Sequence, residues 1–296
     1  CRHTVGLADP LTDAEIAAGD KLHDGLPQSL EANIRSYGLR HFKIKIDGNA
    51  PDAALARLRS VFGVLKSGVG TGLAFSFDGN ESFASANAFR DFWQRIEGDP
   101  AIQPFLPKLL FVEQPLSRLV ALDPAQADLN TWSGRPPIII DESDAEPDNL
   151  KKALQLGYAG TSHKNCKGII KGVAHACLIA QQRAARPGER LILSGEDLCN
   201  IDPVALLQDL AVQAVLGVES VERNGHHYFA GLSSWPKEIQ QAAMANHPDL
   251  YEPTELGWPK LIVRDGRIST RSVVAAPLGV GGELPLETIV GQRSSF

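Results

Sequence analysis

The feature that most constrains the fold is a regular alternation of short apolar runs with longer amphipathic stretches along the 296-residue chain. The short runs are rich in β-branched and aromatic residues, which predicts strands. The longer stretches carry apolar residues at i, i+3 and i+4, which predicts helices. The predicted strands are residues 3–7, 42–47, 73–78, 109–113, 138–141, 160–164, 191–194 and 218–222. The clearest predicted helices are residues 51–65, 83–96, 149–156, 168–183 and 203–215.

Two α/β folds satisfy this alternation, a closed (β/α)8 TIM-type barrel and an open, doubly wound sheet. Eight strand–helix units at even spacing favour the barrel. The open sheet usually has a GxGxxG turn after an early strand, and this sequence contains none. We therefore predict a barrel over residues 1–257. Residues 258–296 differ, because WPKLIVRDGRIST predicts two short strands around an Asp-Gly turn and an extended tail follows.

Charge and cysteine content exclude several classes of protein. The net charge of −6 and the pI near 5.8 argue against a nucleic-acid partner, which would favour a basic surface. No apolar run reaches the length of about 18 residues that a membrane span needs, and no signal segment opens the chain. The four cysteines (Cys1, Cys166, Cys177 and Cys199) show no metal-site spacing, so we expect reduced thiols. We predict a cytoplasmic protein that acts on a small molecule and forms a homo-oligomer.

The ends of the predicted strands carry acids and lysines with unusual regularity. Because the carboxyl ends of barrel strands meet at one face, these side chains are expected to converge. Lys43 and Lys45 share one face of the second strand, since strand residues i and i+2 point the same way. The later strands end, in order, with Asp78 and Asn80, with Glu113, with Asp141 and Glu142, with Lys164, with Glu196 and Asp197, and with Glu222.

Three carboxylates at the ends of three neighbouring strands would repel one another unless a cation lies between them. Oxygen-only ligation favours Mg²⁺, with Mn²⁺ as a substitute. A partly desolvated lysine beside such a cation is suited to act as a base near neutral pH. Each of these residues alone is more simply a turn residue, a helix cap or part of a solvated strand face. Their coincidence on five consecutive strands favours a catalytic site.

This arrangement resembles the enolase superfamily, and most closely its mandelate racemase/muconate lactonizing enzyme branch. The residues that carry the resemblance are Lys43-Ile-Lys45, Asp78-Gly-Asn80, Glu113-Gln-Pro115, Asp141-Glu-Ser143 and Lys164-Asn-Cys-Lys167-Gly168. The segments TVGLADP and PLGVGGEL also resemble the first barrel strand and the closing segment of that family. The likeness therefore covers nearly the whole chain.

The resemblance implies Mg²⁺-dependent removal of the proton α to a substrate carboxylate, through an enediolate. Racemisation or epimerisation, cycloisomerisation or dehydration would follow. It implies that Asp78, Glu113 and Asp141 bind Mg²⁺ and that Lys45 and Lys164 act as base and acid on opposite faces of the substrate. Lys43 would lie near the substrate carboxylate. Supporting contacts to these groups or to the substrate are expected from Asn80, Glu142, Glu196, Asp197, Glu222 and His226.

The chain departs from that family in one respect, because the family has an α+β capping domain before the barrel. This chain begins at what resembles the first barrel strand, so either that domain was lost, removed or left out of this chain, or the protein differs from its relatives. We expect residues 258–296 to pack toward the missing domain. Two alternatives stay open. Lys164 could form a Schiff base with a carbonyl substrate, as in metal-free aldolases, although this leaves the converging acids unexplained. The barrel could also lack catalytic activity and act as a binding protein.

Overall fold

The structure is a computed structural model that describes residues 1–70 and 72–285. Eight parallel strands close into a barrel in sequence order, which confirms the predicted (β/α)8 fold. The barrel strands are β1 (Arg2–Val5), β2 (His41–Lys45), β3 (Ala74–Asp78), β4 (Leu109–Glu113), β5 (Ile138–Ile140), β6 (Gly160–His163), β7 (Ile192–Glu196) and β8 (Val221–Glu222).

Helices follow the strands and cover the outside of the barrel. They are α1 (Leu30–Tyr37), α2 (Pro51–Gly68), α3 (Ala86–Glu97), α4 (Pro124–Ala127), α5 (Asn149–Gln155), α6 (Ile169–Ala185), α7 (Val204–Val215), α8 (Gly225–Tyr228), α9 (Lys237–Asn246) and α10 (Arg271–Val274). Local sequence explains several boundaries. The side-chain oxygens of Ser29 and Ser85 each accept a hydrogen bond from the backbone N–H three residues further along the chain, and so cap α1 and α3. Gly38, at φ 61°, ends α1 in the left-handed conformation that glycine favours.

The core lies between the barrel and these helices, and strand alternation separates it from the polar interior of the barrel. Phe75 and Phe77 on β3 are fully buried and face α2, where Phe62 packs edge-on against Phe75 with ring centroids 5.0 Å apart. The alternate residues Ser76 and Asp78 point into the barrel. Strand β3 therefore contributes apolar side chains to the core and polar side chains to the barrel interior.

The region after the barrel differs from the predicted hairpin. Pro259–Leu261 (β10) pairs antiparallel with the preceding segment Tyr251–Pro253 (β9), not with the residues that follow it. The expected Asp-Gly turn is present, but it closes only a single antiparallel bridge between Arg264 and Arg267. The part of the predicted tail at 286–296 lies outside the described residues.

The described part of the closing segment packs on the barrel. Gly279, at φ 84°, lies against α7 so closely that a Cβ would be 2.2 Å from the carbonyl oxygen of Leu207. A glycine is therefore required at this contact. Within residues 1–70 and 72–285, no helix combines the length and apolar character needed to cross a membrane.

Candidate active site

The strand register places three of the predicted site residues side by side. Lys45 pairs with Asp78 across β2 and β3, and Asp78 pairs with Glu113 across β3 and β4. All three end their strands at the same level of the barrel. Lys43 lies two residues earlier on the same face of β2, so its side chain enters the barrel just below them.

Lys43 is the centre of a buried ionic cluster. Its ammonium is 1% exposed and lies 2.8 Å from Asp78 Oδ2, 3.3 Å from Glu113 Oε1 and 3.5 Å from Glu196 Oε2, and it also contacts Glu222. Burial alone would lower the pKa of Lys43, but the surrounding carboxylates raise it well above its usual value. Lys43 is therefore a fixed cation, enclosed by carboxylates of the protein.

Lys45 lies nearer the opening of the barrel. Its Nζ donates to Asp78 Oδ2 at 2.7 Å and to Asn80 Oδ1 at 2.7 Å, and its side chain is 24% exposed. Asn80 is in the left-handed region at φ 40°, as are the neighbouring Glu81 (φ 65°) and Gln114 (φ 33°). Such strained backbone at strand ends is typical of sites under functional constraint.

Lys164 follows β6, which is four strands from β2 in the closed barrel and therefore on the opposite side. Its Nζ lies 2.8 Å from Asp141 Oδ2 and 2.9 Å from Glu196 Oε2, and its side chain is 13% exposed. Burial opposes the charge of Lys164, but these two carboxylates raise its pKa above the usual value. The cluster thus has one partly exposed ammonium on each side.

A group of carboxylates suited to a cation lies between the lysines. Carboxylate oxygens of Glu113, Asp141 and Glu196, all buried, lie within 4.8 Å of one another. This group shares two members with the predicted ligand set and has Glu196 in place of Asp78, whose Oδ2 is engaged by both lysines of β2. Among the described residues Glu113 Oε2 has no hydrogen-bond partner although it is buried, and burial raises the pKa of Glu113 to about 8 although Lys43 opposes the shift. Such a carboxylate lacks sufficient positive charge around it.

Asp141 is held by two residues to which the sequence assigned no role. Gln114 Oε1 accepts the backbone N–H groups of Asp141 at 2.7 Å and Ser143 at 3.1 Å. Lys167 Nζ donates to Asp141 Oδ1 at 2.6 Å and to the Asp141 carbonyl oxygen at 2.7 Å. Burial would raise the pKa of Asp141, but Lys167, then Lys164, lower it below its usual value. Both residues lie inside the motifs that carry the family resemblance, which was the only signal available.

The charges of the cluster do not balance. It contains six carboxylates and four ammonium groups, so two negative charges remain when all are ionised. The carboxylates belong to Asp78, Glu113, Asp141, Glu142, Glu196 and Glu222, and the ammonium groups to Lys43, Lys45, Lys164 and Lys167. Glu142 joins the cluster through Asn80, whose Nδ2 donates to Glu142 Oε1 at 3.3 Å. Glu142 Oε2 is buried and has no hydrogen-bond partner in the part of the chain that the structure describes.

Two predicted residues do not join this cluster. Asp197 points away from the barrel interior to Arg223 at 3.6 Å, and Arg223 in turn reaches Asp209 of α7. Burial raises the pKa of Asp197 to about 7 despite Arg223. His226 lies against His3, with 3.1 Å between His226 Nε2 and His3 Nδ1, and burial lowers its pKa to about 3. Both therefore lie behind the barrel wall.

Comparison with solved structures identifies proteins with the same fold. A muconate lactonizing enzyme from Mycobacterium smegmatis is 16% identical, with a TM-score of 0.56 over 98% of this chain and 65% of that one. An N-succinyl Arg/Lys racemase from Bacillus cereus is 16% identical, with a TM-score of 0.54 over 92% of this chain and 61% of that one. An L-Ala-D/L-Glu epimerase from Bacillus subtilis, solved with substrate, is 18% identical, with a TM-score of 0.52 over 76% of this chain and 54% of that one.

No model of a known protein family matches the sequence, and no curated protein is similar to it. The chain spans between about half and two thirds of the length of the solved structures that it matches. At this level of identity the comparisons establish the fold. The resemblance predicted from the strand-end motifs is confirmed at that level, because this chain has the barrel fold of these racemases, epimerases and lactonizing enzymes.

Proposed function

We propose that this chain is the barrel of an enzyme in the mandelate racemase/muconate lactonizing enzyme branch of the enolase superfamily. It would remove the proton α to the carboxylate of a small molecule with the help of a divalent cation. One observation carries the proposal: the buried cluster at the carboxyl ends of the strands has two negative charges in excess when all its groups are ionised, and it has one partly exposed lysine on each side.

The residues of the cluster fit a divalent cation. Glu113 Oε2, buried and without a hydrogen-bond partner among the described residues, is an oxygen atom suited to bind a cation, and two positive charges would balance the fully ionised cluster. Oxygen-only donors favour Mg²⁺, with Mn²⁺ as a substitute. Glu113 and Asp141 would be two of the ligands, and Asp78 the third, as the resemblance implies, with Glu196 as the alternative. When bound, the cation would supply the positive charge that stabilises a developing enediolate.

Lys45 and Lys164 would perform the proton transfers. Because β2 and β6 lie on opposite sides of the barrel, an α-carbon held between them presents one face to each lysine. One lysine in its neutral form takes the α-proton onto Nζ. If the other returns a proton to the opposite face, the product is the epimer. If a β-group leaves instead, the result is elimination. If that group is a carboxylate of the same molecule, the opposite direction of this step, in which the carboxylate adds to the double bond and the lysine returns the proton to the α-carbon, is cycloisomerisation.

Lys43 would have a different part. Its ammonium is enclosed by four carboxylates and has no exposed path to a substrate, so it stays charged and keeps those carboxylates in place. We therefore assign proton transfer to the two exposed lysines and a fixed electrostatic part to Lys43.

The proposal is tested by α-proton exchange in D₂O. The chain is incubated with α-hydroxy acids, N-acyl amino acids, dipeptides and sugar acids, with Mg²⁺ or with EDTA, and deuterium uptake is measured by mass spectrometry. We expect exchange into at least one class, dependent on Mg²⁺ or Mn²⁺. Lys45→Ala and Lys164→Ala should each abolish turnover while Mg²⁺ binding persists, and Lys171→Ala, outside the cluster, should leave turnover intact.

Two results would overturn this reaction. One is exchange at the wild-type rate on both faces in Lys164→Ala. The other is activity that is insensitive to EDTA with a borohydride-trapped adduct on Lys164, which would support the Schiff-base mechanism. Titration calorimetry of Asp78→Asn and Glu196→Gln with Mg²⁺ identifies the third ligand, because only the variant that removes a ligand should lose affinity strongly.

A further inference from the structure

Lys167 makes an unusually complete set of contacts around Asp141. Its Nζ donates to Asp141 Oδ1 at 2.6 Å, to the Asp141 carbonyl oxygen at 2.7 Å and to the Ser162 carbonyl oxygen at 2.9 Å. An ammonium group has three protons, so all three are used. The side chain is 14% exposed. Lys167 is therefore fixed in position by three acceptors of the protein.

The local chain path explains how two lysines meet one carboxylate. Residues Asn165–Lys167 form a single 3-10 turn after β6, closed by a hydrogen bond from the Lys167 N–H to the Lys164 carbonyl oxygen at 2.9 Å. Gly168, at φ 103°, then turns the chain into α6. This turn places Lys164 against Asp141 Oδ2 at 2.8 Å and Lys167 against Oδ1.

The two lysines consequently divide the carboxylate between them. Lys167 donates to Oδ1 and also to the backbone carbonyl oxygen of Asp141. The backbone N–H of Asp141 donates to Gln114 Oε1. Rotation of the carboxylate would break the bond to Lys167. Oδ2 is therefore the oxygen that stays directed at Lys164 and at Glu196, which shares that lysine.

We propose that Lys167 is a positioning residue that fixes the orientation of the Asp141 carboxylate, so that Oδ2 is presented to the cation and to Lys164. This inference rests on the proposed function, since it requires Asp141 to be a ligand. Residues that orient a metal ligand in this way typically change metal affinity by about 10–100-fold when they are replaced.

The direction of the change separates positioning from simple charge compensation. If Lys167 only neutralised Asp141, its removal would make the cluster more negative and Mg²⁺ would bind more tightly. If Lys167 positions Asp141, its removal frees the carboxylate to rotate and Mg²⁺ binds more weakly. The two roles thus predict opposite signs for one measurement.

Lys171, which lies four residues after Lys167 in the first turn of α6, is a matched control. Lys171 Nζ contacts the carbonyl oxygen of Asp144 and lies 3.6 Å from Asp144 Oδ1, which repeats the Lys167–Asp141 arrangement outside the cluster. Lys171→Met therefore removes a comparable lysine–aspartate contact from the same helix region without touching the site.

The experiment is titration calorimetry of Mg²⁺ into wild type, Lys167→Met, Lys167→Gln and Lys171→Met, each first checked for a cooperative thermal transition. We expect both Lys167 variants to bind Mg²⁺ about 10–100-fold more weakly than wild type, and Lys171→Met to match wild type. Lys167→Gln, which keeps an amide donor, provides the measurement if Lys167→Met does not fold. Wild-type or tighter affinity in a folded Lys167 variant would overturn the inference alone. Absence of Mg²⁺ binding in wild type would instead overturn the proposed function.

Discussion

Replacing Lys43 with methionine tests the description of the cluster most directly. The ammonium of Lys43 is 1% exposed and is the shared partner of four carboxylates, those of Asp78, Glu113, Glu196 and Glu222. Methionine keeps much of the length of the side chain but leaves buried acids without their cation. Removing one partner of a buried ion pair costs about 3–5 kcal/mol. For 296 residues, unfolding entropy of about 2.1 cal/mol/K per residue gives about 0.6 kcal/mol/K, so Tm should fall by about 5–8 °C.

The assay is thermal unfolding in EDTA, followed by circular dichroism, with Lys45→Met as the control. Lys45 is 24% exposed and shares Asp78 with Lys43, so its loss should cost at most about 1 kcal/mol, or less than about 2 °C. The double variant Lys43→Met/Glu222→Gln should recover about 1–3 kcal/mol of the single loss, because one unpaired charge is removed with its partner. A Lys43→Met protein as stable as wild type, or less affected than Lys45→Met, would refute the central place given to Lys43.

Two further outcomes follow from buried groups elsewhere in the described chain. Burial, with Asp197 nearby, raises the pKa of Asp202 from 3.8 to about 7, so the folded state holds a proton that the unfolded state releases, and stability falls as pH rises from about 4 to about 7. In urea unfolding, Asp202→Asn should therefore be more stable than wild type by about 4 kcal/mol at pH 8 and by almost nothing near pH 4. A gain in stability that does not depend on pH would contradict the raised pKa of Asp202. In the same assay, the free energy of unfolding of Gln114→Leu should be lower by about 3 kcal/mol, because the buried N–H groups of Asp141 and Ser143 lose their acceptor. An unchanged urea midpoint would show that these hydrogen bonds contribute little to stability.

The parts of the fold that the sequence predicted are those determined by periodicity. The even spacing of the predicted strand–helix units led to the closed barrel, and the prediction that Asp78 ends the third strand is consistent with the alternation seen there, where Phe75 and Phe77 face outward. The convergence of Lys45, Asp78 and Glu113 also follows, since parallel strands of equal register bring their last residues to one level.

The same alternation of strand residues could have improved the prediction for Glu196 and Asp197, which were both expected to make supporting contacts at the site. Asp197 comes directly after Glu196, and neighbouring strand residues face opposite sides, so only one of the two could enter the barrel. The structure sends Glu196 to the lysines and Asp197 to Arg223 behind the wall. Period-two reasoning alone could have separated this pair.

Other features depend on distances that no sequence pattern fixes. The bonds of Lys167 to Asp141 need the 3-10 turn after β6 to have one particular path, and the four bonds of Gln114 need its left-handed backbone. The difference between the predicted hairpin around the Asp-Gly turn and the observed pairing has a similar origin. The Asp-Gly turn is a strong local signal, but the pairing of β10 with β9 is decided by which segment lies beside it in the folded protein.

The enclosure of Lys43 also bears on how such a site can change over time. The ionic cluster fills the end of the barrel interior, so the groups proposed for chemistry are at the same time packing residues of the barrel. Removal of the Lys43 charge disturbs the support of four strands at once, through Asp78, Glu113, Glu196 and Glu222. Neutral substitution of Lys43 is therefore restricted to exchanges that conserve the total charge of the cluster. A new reaction would be reached more readily by altering the loops around the open end of the barrel than by altering the ionic cluster itself.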